Sequence, residues 1–108
     1  MDLKISMKYV NDQKFELINK TENSLQVDMY SQDKKKNQSP MELLLSALTS
    51  CAAVEIVSMI KKRRRNFKNL EAVTCGIRAE TSPRYFTNIN IKYLIYSSDL
   101  KIEEAERF

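Results

Sequence analysis

The chain reads as a single α+β domain over residues 1–108: a three-stranded N-terminal meander, a long buried cysteine-bearing helix, a further strand pair, and the start of a C-terminal helix. Three observations predict this. Apolar and polar residues alternate with period two through the first 30 residues. A helix-start signature at residue 39 then opens a long apolar run. Alternation returns after residue 66.

In the first segment Leu3, Ile5, Met7 and Tyr9 alternate with Lys4, Ser6 and Lys8. Phe15 and Leu17 alternate with Lys14 and Glu16, and Leu25, Val27 and Met29 alternate with Gln26 and Asp28. Each strand thus has one apolar and one wet face, with turns at Asn11-Asp12 and Thr21-Glu22-Asn23. Residues 31–38 read as a polar, lysine-rich loop.

Ser39-Pro40-Met41-Glu42 reads as a capping box with proline at the first helical position. Serine accepts from the N3 amide, glutamate reaches back to the cap amide, and proline gives up a donor that has no intrahelical acceptor. The helix should run from residue 40 to about 64. From Leu43 to Ile60 it is apolar on nearly every side, so it is either buried all round or crosses a membrane. The membrane reading is the weaker. Ser46, Thr49, Ser50, Cys51, Glu55 and Ser58 interrupt the run, and Glu55 alone would cost about 2–3 kcal/mol at mid-bilayer.

Past Asn66, Val73, Cys75, Ile77 and Ala79 alternate with Thr74, Gly76, Arg78 and Glu80, placing Cys75 on an apolar strand face in a structural role. Ile89, Ile91, Tyr93 and Ile95 form a second such face. Ser82-Pro83 turns the chain between them, followed by Arg84 and the aromatic pair Tyr85-Phe86, read as a plug at the sheet end rather than a pocket lining. Ser98 or Asp99 would cap a second helix with Ile102, Ala105 and Phe108 inward; it stops after two turns, as if cut off.

Composition narrows the chemistry. Of 108 residues 43% are hydrophobic, which suits a folded globule, and the lone glycine Gly76 rules out glycine-rich phosphate loops. With no histidine, Ser-His-Asp and Cys-His catalysis are excluded, and two thiols alone leave a zinc site unlikely to form. No cofactor or metal is expected. The alternating N-terminus is no signal peptide, so a reducing, cytoplasmic setting with both thiols free is the expectation. The net charge of +4 is concentrated in Lys34-Lys35-Lys36 and in the run Lys61 to Arg65, both read as solvated surface. A nucleic-acid module built on the second run lacks any accompanying motif, so neither nucleic acid nor membrane is expected as a partner.

Cys51 shares its helix face with Leu44, Ala47, Leu48, Val54, Glu55 and Ser58. A buried packing thiol is the plain reading. A reactive thiolate needs a nearby cation, and none lies close in sequence; Arg78, Arg84 and Lys14 are the candidates. Glu55 is a carboxylate in an apolar helix, which calls for a cavity or a partner.

Residues 39–51, from Ser39-Pro40-Met41-Glu42-Leu43-Leu44 to Cys51, resemble the S/N-P-x-E-L-L-x-x-A-L-x-x-C signature of the OsmC/Ohr family. Residues 79–89 resemble its a-E-x-x-P-r-x-F-t-x-I stretch, and the order of elements matches over nearly the whole chain. The small OsmC-like branch is the nearest likeness. The resemblance implies a two-layer α+β fold and an intertwined homodimer. It also implies thiol-dependent, peroxiredoxin-like reduction of organic hydroperoxides in oxidative stress defence, with Cys51 as peroxidatic nucleophile, Glu55 and Arg84 as site residues, and an external thiol reductant. Three departures accompany it. The family's second cysteine falls beyond residue 108, the glutamate that peroxidase branches place after the proline is Met41 here, and residues 1–39 contain no arginine. The alternative is a non-catalytic OsmC-like protein binding a small apolar ligand at its dimer interface.

Overall fold

The computed structural model describes residues 3–100. The element order is β1 (Ile5–Asn11), β2 (Lys14–Asn19), β3 (Ser24–Asp28), α1 (Pro40–Lys62), β4 (Phe67–Arg78) and β5 (Phe86–Ser97). This is the α+β order expected from the sequence. The second helix falls in residues 101–108, outside the described residues. The chain forms two units, Met1–Leu44 and Leu45–Phe108, with the boundary inside α1.

The first unit is an antiparallel meander in the order β1-β2-β3, with Met7 opposite Leu17 and Leu17 opposite Leu25. Asp12 (φ 46°) and Glu22 (φ 65°) take the left-handed conformation in its two turns. The second turn is tied by Asn19, whose Oδ1 accepts from the Thr21 and Asn23 amides at 3.1 and 2.9 Å. Every residue of the edge strand β1 is exposed, including its apolar face Ile5, Met7 and Tyr9.

One residue here reverses the sequence reading. Asp28, assigned to a wet strand face, has no solvent exposure at all, beside Val27 at 4%. Its carboxylate accepts from Lys35 Nζ (3.1 Å), the amides of Lys36 (3.2 Å) and Asn37 (2.9 Å), and Asn37 Nδ2 (3.1 Å). Lys35 Nζ also donates to the Asp28 carbonyl at 2.8 Å. Burial alone would raise the carboxyl's pKa, but these donors outweigh it and hold it at about 2. The lysine-rich loop is therefore no loose surface: its central lysine folds inward and the loop wraps around one buried charge.

The same loop leads into α1. Ser39 N donates to Glu42 Oε1 (2.9 Å) and Glu42 N donates to Ser39 Oγ (3.2 Å), closing the expected capping box. Those bonds, with Lys35 Nζ 3.6 Å from Glu42 Oε1, keep the Glu42 carboxyl below its usual range. At its far end α1 closes in a Schellman motif, Arg65 N donating to Ile60 O (3.2 Å) and Arg64 N to Lys61 O (3.0 Å). The left-handed residue there is Arg64 (φ 58°), where a side chain costs about 1–2 kcal/mol against glycine's free access.

In the second unit α1 lies over the β4–β5 ribbon. Thr49 is the junction: its Oγ1 donates to Leu45 O (2.8 Å) and hydrogen-bonds Thr74 Oγ1, while its carbonyl accepts from Tyr93 OH (2.8 Å). Ile60 on the same helix face is fully buried. On β5 the inward residues are Ile91, Tyr93 and Ile95, as the alternation predicted, while Ile89 of the same expected face is exposed. On β4 the alternation misleads. The half-buried residues are Phe67, Leu70, Thr74 and Gly76, whereas Val73 and Ile77 are 66% and 62% exposed and Cys75 is exposed with them. The reason is close approach. A Cβ at Gly76 would sit 2.6 Å from Phe86 Cε1 and 3.1 Å from Leu45 Cδ2, so the small and polar face of β4 admits the helix. Phe86 is thus the expected plug, while Tyr85 stays 60% exposed.

The expectation of a helix buried all round is corrected in the single chain. Leu45, Thr49, Ala52, Ala53 and Ile56 are half-buried, but Leu44, Ala47, Leu48, Cys51, Val54, Glu55 and Ser58 are exposed. A two-stranded ribbon covers one side of a helix and no more. Asp99, with Ser98 a candidate cap for a helix that lies outside the described residues, accepts from Asn66 N at 2.8 Å and pins the entry to β4.

Candidate functional site

Cys51 lies mid-way along α1, eleven residues after the helix-starting proline, and the helix register sets everything around it. The side that carries Thr49 and Ile56 faces the ribbon, so Cys51, two residues from Thr49, is turned to the exposed side. It is a free thiol open to solvent rather than a packed one. Leu48, Val54 and Ala47 flank it, and Val54 is 70% exposed. Glu55, one turn on, shares this face. Among the described residues, neither Cys51 nor Glu55 has a hydrogen-bond or ion-pair partner.

The cations proposed from sequence are placed elsewhere. Arg84 sits in the loop between β4 and β5, with Nε donating to Ala79 O at 3.4 Å. Arg78 Nε donates to Arg84 O at 3.0 Å. The two arginines strap the loop across its own backbone, where Ala79 N also donates to Tyr85 O at 2.8 Å. Lys14 opens β2 in the other unit. The structure therefore brings Cys51 and Glu55 onto one face, and gives Arg84 a backbone partner instead of the thiol.

Cys75 cannot serve Cys51 within the second unit. Thr74 and Gly76 face α1, so Cys75 between them faces the opposite side of the ribbon, while Cys51 faces away from the ribbon on the far side of the helix. The two thiols thus face away from each other, with the helix and the ribbon between them. No group of three or more His, Cys, Asp or Glu side chains suited to a metal occurs among the described residues.

The first unit holds an apolar cleft of about 350 Å³ lined by Met7, Phe15, Leu17, Val27, Pro40 and Leu43. Alternation made its strand residues recognisable. The Asp28–Lys35 pair behind it was not, because nothing in the local pattern separates an aspartate that ends a strand in solvent from one that a loop will enclose.

By length and composition α1 is long and apolar enough to cross a membrane, a test that core helices of water-soluble folds also pass. Comparison with known proteins sets it in context. Protein YhfA of Escherichia coli K12 is 38% identical over 66 residues, which is 61% of this chain and 49% of that protein. The match thus spans about half the length of that relative. An OsmC-like protein from Mycoplasma pneumoniae has the same fold, with TM-score 0.87 and 18% identity over 99% of this chain and 77% of its own. The organic hydroperoxide resistance protein OhrB of Bacillus subtilis superimposes at TM-score 0.60 and 14% identity, covering 99% of this chain and 79% of its own. Both likenesses concern the fold. The family model described as OsmC-like protein matches residues 32–108, which include the capping box, Cys51 and the Arg84 loop, and the chain belongs to that family.

Proposed function

We infer that the protein is a thiol-dependent redox protein that reduces organic hydroperoxides, with Cys51 as the nucleophile. The observation that carries this reading is the exposure of Cys51 on a helix started by the family's proline signature. The Cys51 thiolate attacks the outer peroxide oxygen, forming an S–O bond as the O–O bond breaks. The organic oxygen leaves with the bonding pair, takes a proton and departs as the alcohol, and Cys51 is left as sulfenic acid. An external thiol then attacks that sulfur, releasing water and forming a mixed disulfide, and a second thiol restores Cys51. The sulfenic acid has no resolving partner in Cys75, which lies across the ribbon.

The exposed apolar side of α1, with Leu44, Leu48 and Val54, suits a homodimer interface that would shelter Cys51 and admit an apolar substrate. The cation that activates the thiol then comes from across that interface or from Arg84 after its loop releases Ala79. Glu55, one turn on and on the same helix face, would orient the donor. A cytoplasmic location follows from a mechanism that needs reduced thiols.

Cumene hydroperoxide should convert Cys51 to a dimedone-trappable sulfenic acid, and Cys51→Ser should abolish trapping without unfolding the protein. A Cys51 that resists both peroxide and alkylation in the folded state would refute the reading. That no cation among the described residues pairs with Cys51, together with the exposed apolar side of α1, favours a second reading: a non-catalytic OsmC-like protein that binds a small apolar ligand at a dimer interface.

A further inference from the structure

The cations at the end of α1 remain unexplained by the site. Residues 56–70 hold Lys61, Lys62, Arg63, Arg64, Arg65 and Lys68 and no acidic residue. The whole chain carries +4, so everything outside this stretch sums to −2. This stretch therefore carries the excess of positive charge, while Lys35 in the other basic run is paired with Asp28 and Glu42. Lys61, Lys62, Arg63, Arg64 and Lys68 are all exposed. The Schellman reversal, Arg65 N to Ile60 O, turns the chain back on itself and gathers these side chains at one tip of the second unit.

Fold stability accounts for only part of the patch. The helix dipole favours cations in the last turn, which covers Lys61 and Lys62, and Arg65 stands in the field of the Asp99 carboxylate, but neither explains Arg64. Adjacent like charges repel. Arg64 further occupies the left-handed position that glycine takes without strain. A residue that works against both local charge and local backbone geometry points to a use for its charge.

We propose that this tip is a docking surface for an anionic lipid bilayer. A cluster of four to eight Lys/Arg is the pattern that anionic headgroups attract. The patch is compact, ending one helix, and the remainder of the chain is net negative. That suits a flat charged surface better than a duplex, whose phosphates would call for a basic strip extending along it. Met59, 44% exposed one turn before Arg63, adds an apolar contact at the same end. The inference stands apart from the peroxide reading and does not depend on it.

The test is co-sedimentation of the full chain with vesicles of equal parts phosphatidylglycerol and phosphatidylcholine, against pure phosphatidylcholine. Binding is expected to the anionic vesicles alone and should vanish near 1 M salt, where the screening length falls to about 3 Å. Each cation removed should weaken binding roughly fivefold. Lys61→Gln/Lys62→Gln should therefore lose about 25-fold. Arg64→Gly is the decisive variant, because it should bind about fivefold more weakly while melting at a higher temperature. No binding to anionic vesicles at low salt overturns the proposal, as does binding that these variants leave unchanged. Tighter binding to duplex DNA than to vesicles also overturns it, in favour of a nucleic-acid surface.

Discussion

Gly76→Ala tests how the helix meets its ribbon, and two effects of opposite sign make it informative. Gly76 has no left-handed backbone, since no glycine here has positive φ, so alanine fits the main chain. In an open strand interior that exchange should stabilise by about 0.5–1 kcal/mol through lower chain entropy. Here the added methyl would meet Phe86 Cε1 at 2.6 Å, Phe86 Cδ1 at 2.9 Å and Leu45 Cδ2 at 3.1 Å. Leu45 can swing its terminal methyl, but the Phe86 ring is wide and fixed at the start of β5, and overpacking of this kind costs about 1–3 kcal/mol. The net expectation is a loss of about 0.5–2 kcal/mol, a fall of several degrees in Tm for a domain this size. Urea denaturation followed by circular dichroism, at unchanged m-value, measures it. Phe86→Leu in the Gly76→Ala background should recover much of the loss relative to its effect in the wild type, as a double-mutant cycle reports. Gly76→Ala at or above wild-type stability, or a loss indifferent to Phe86, would refute the close approach of β4 to α1.

The other expectations are briefer. The Asp28 carboxyl titrates at about 2 in the folded chain against an ordinary 3.8, so its contribution is complete above the unfolded value and drains away as pH falls from about 4 towards 2. Asp28→Asn should lower the Tm at neutral pH and flatten the stability profile across that acid window; a parallel profile would show that Asp28 is not the titrating group. Ser39→Ala removes one half of the capping box and should destabilise by about 1 kcal/mol in denaturant titration. Ile60→Ala empties a fully buried site and should cost about 2–5 kcal/mol, and a smaller loss would mean the helix end collapses onto the space. Arg64→Gly should raise the Tm, with a gain near 1 kcal/mol, as relief of its left-handed strain requires.

Local structure was legible from neighbouring residues alone. Ser39, Pro40 and Glu42 define a helix start through bonds within four residues, and those bonds form as the pattern requires. Alternation marked five strands, because a strand's two faces are written in consecutive residues. The face of α1 that carries Cys51 was also legible, since 100° per residue fixes which side chains travel together. Which way each face points was set by packing between distant segments. Cys51 is exposed and Cys75 lies across the ribbon because Thr49, Thr74 and Gly76 form the junction, a choice made by close contact between segments about 25 residues apart. Asp28 shows the same limit. Whether a carboxylate ending a strand meets water or a lysine depends on where the loop that follows folds back, and period-two alternation carries no information about that. Hydropathy along a chain encodes what must be covered, while the covering itself comes from residues distant in sequence.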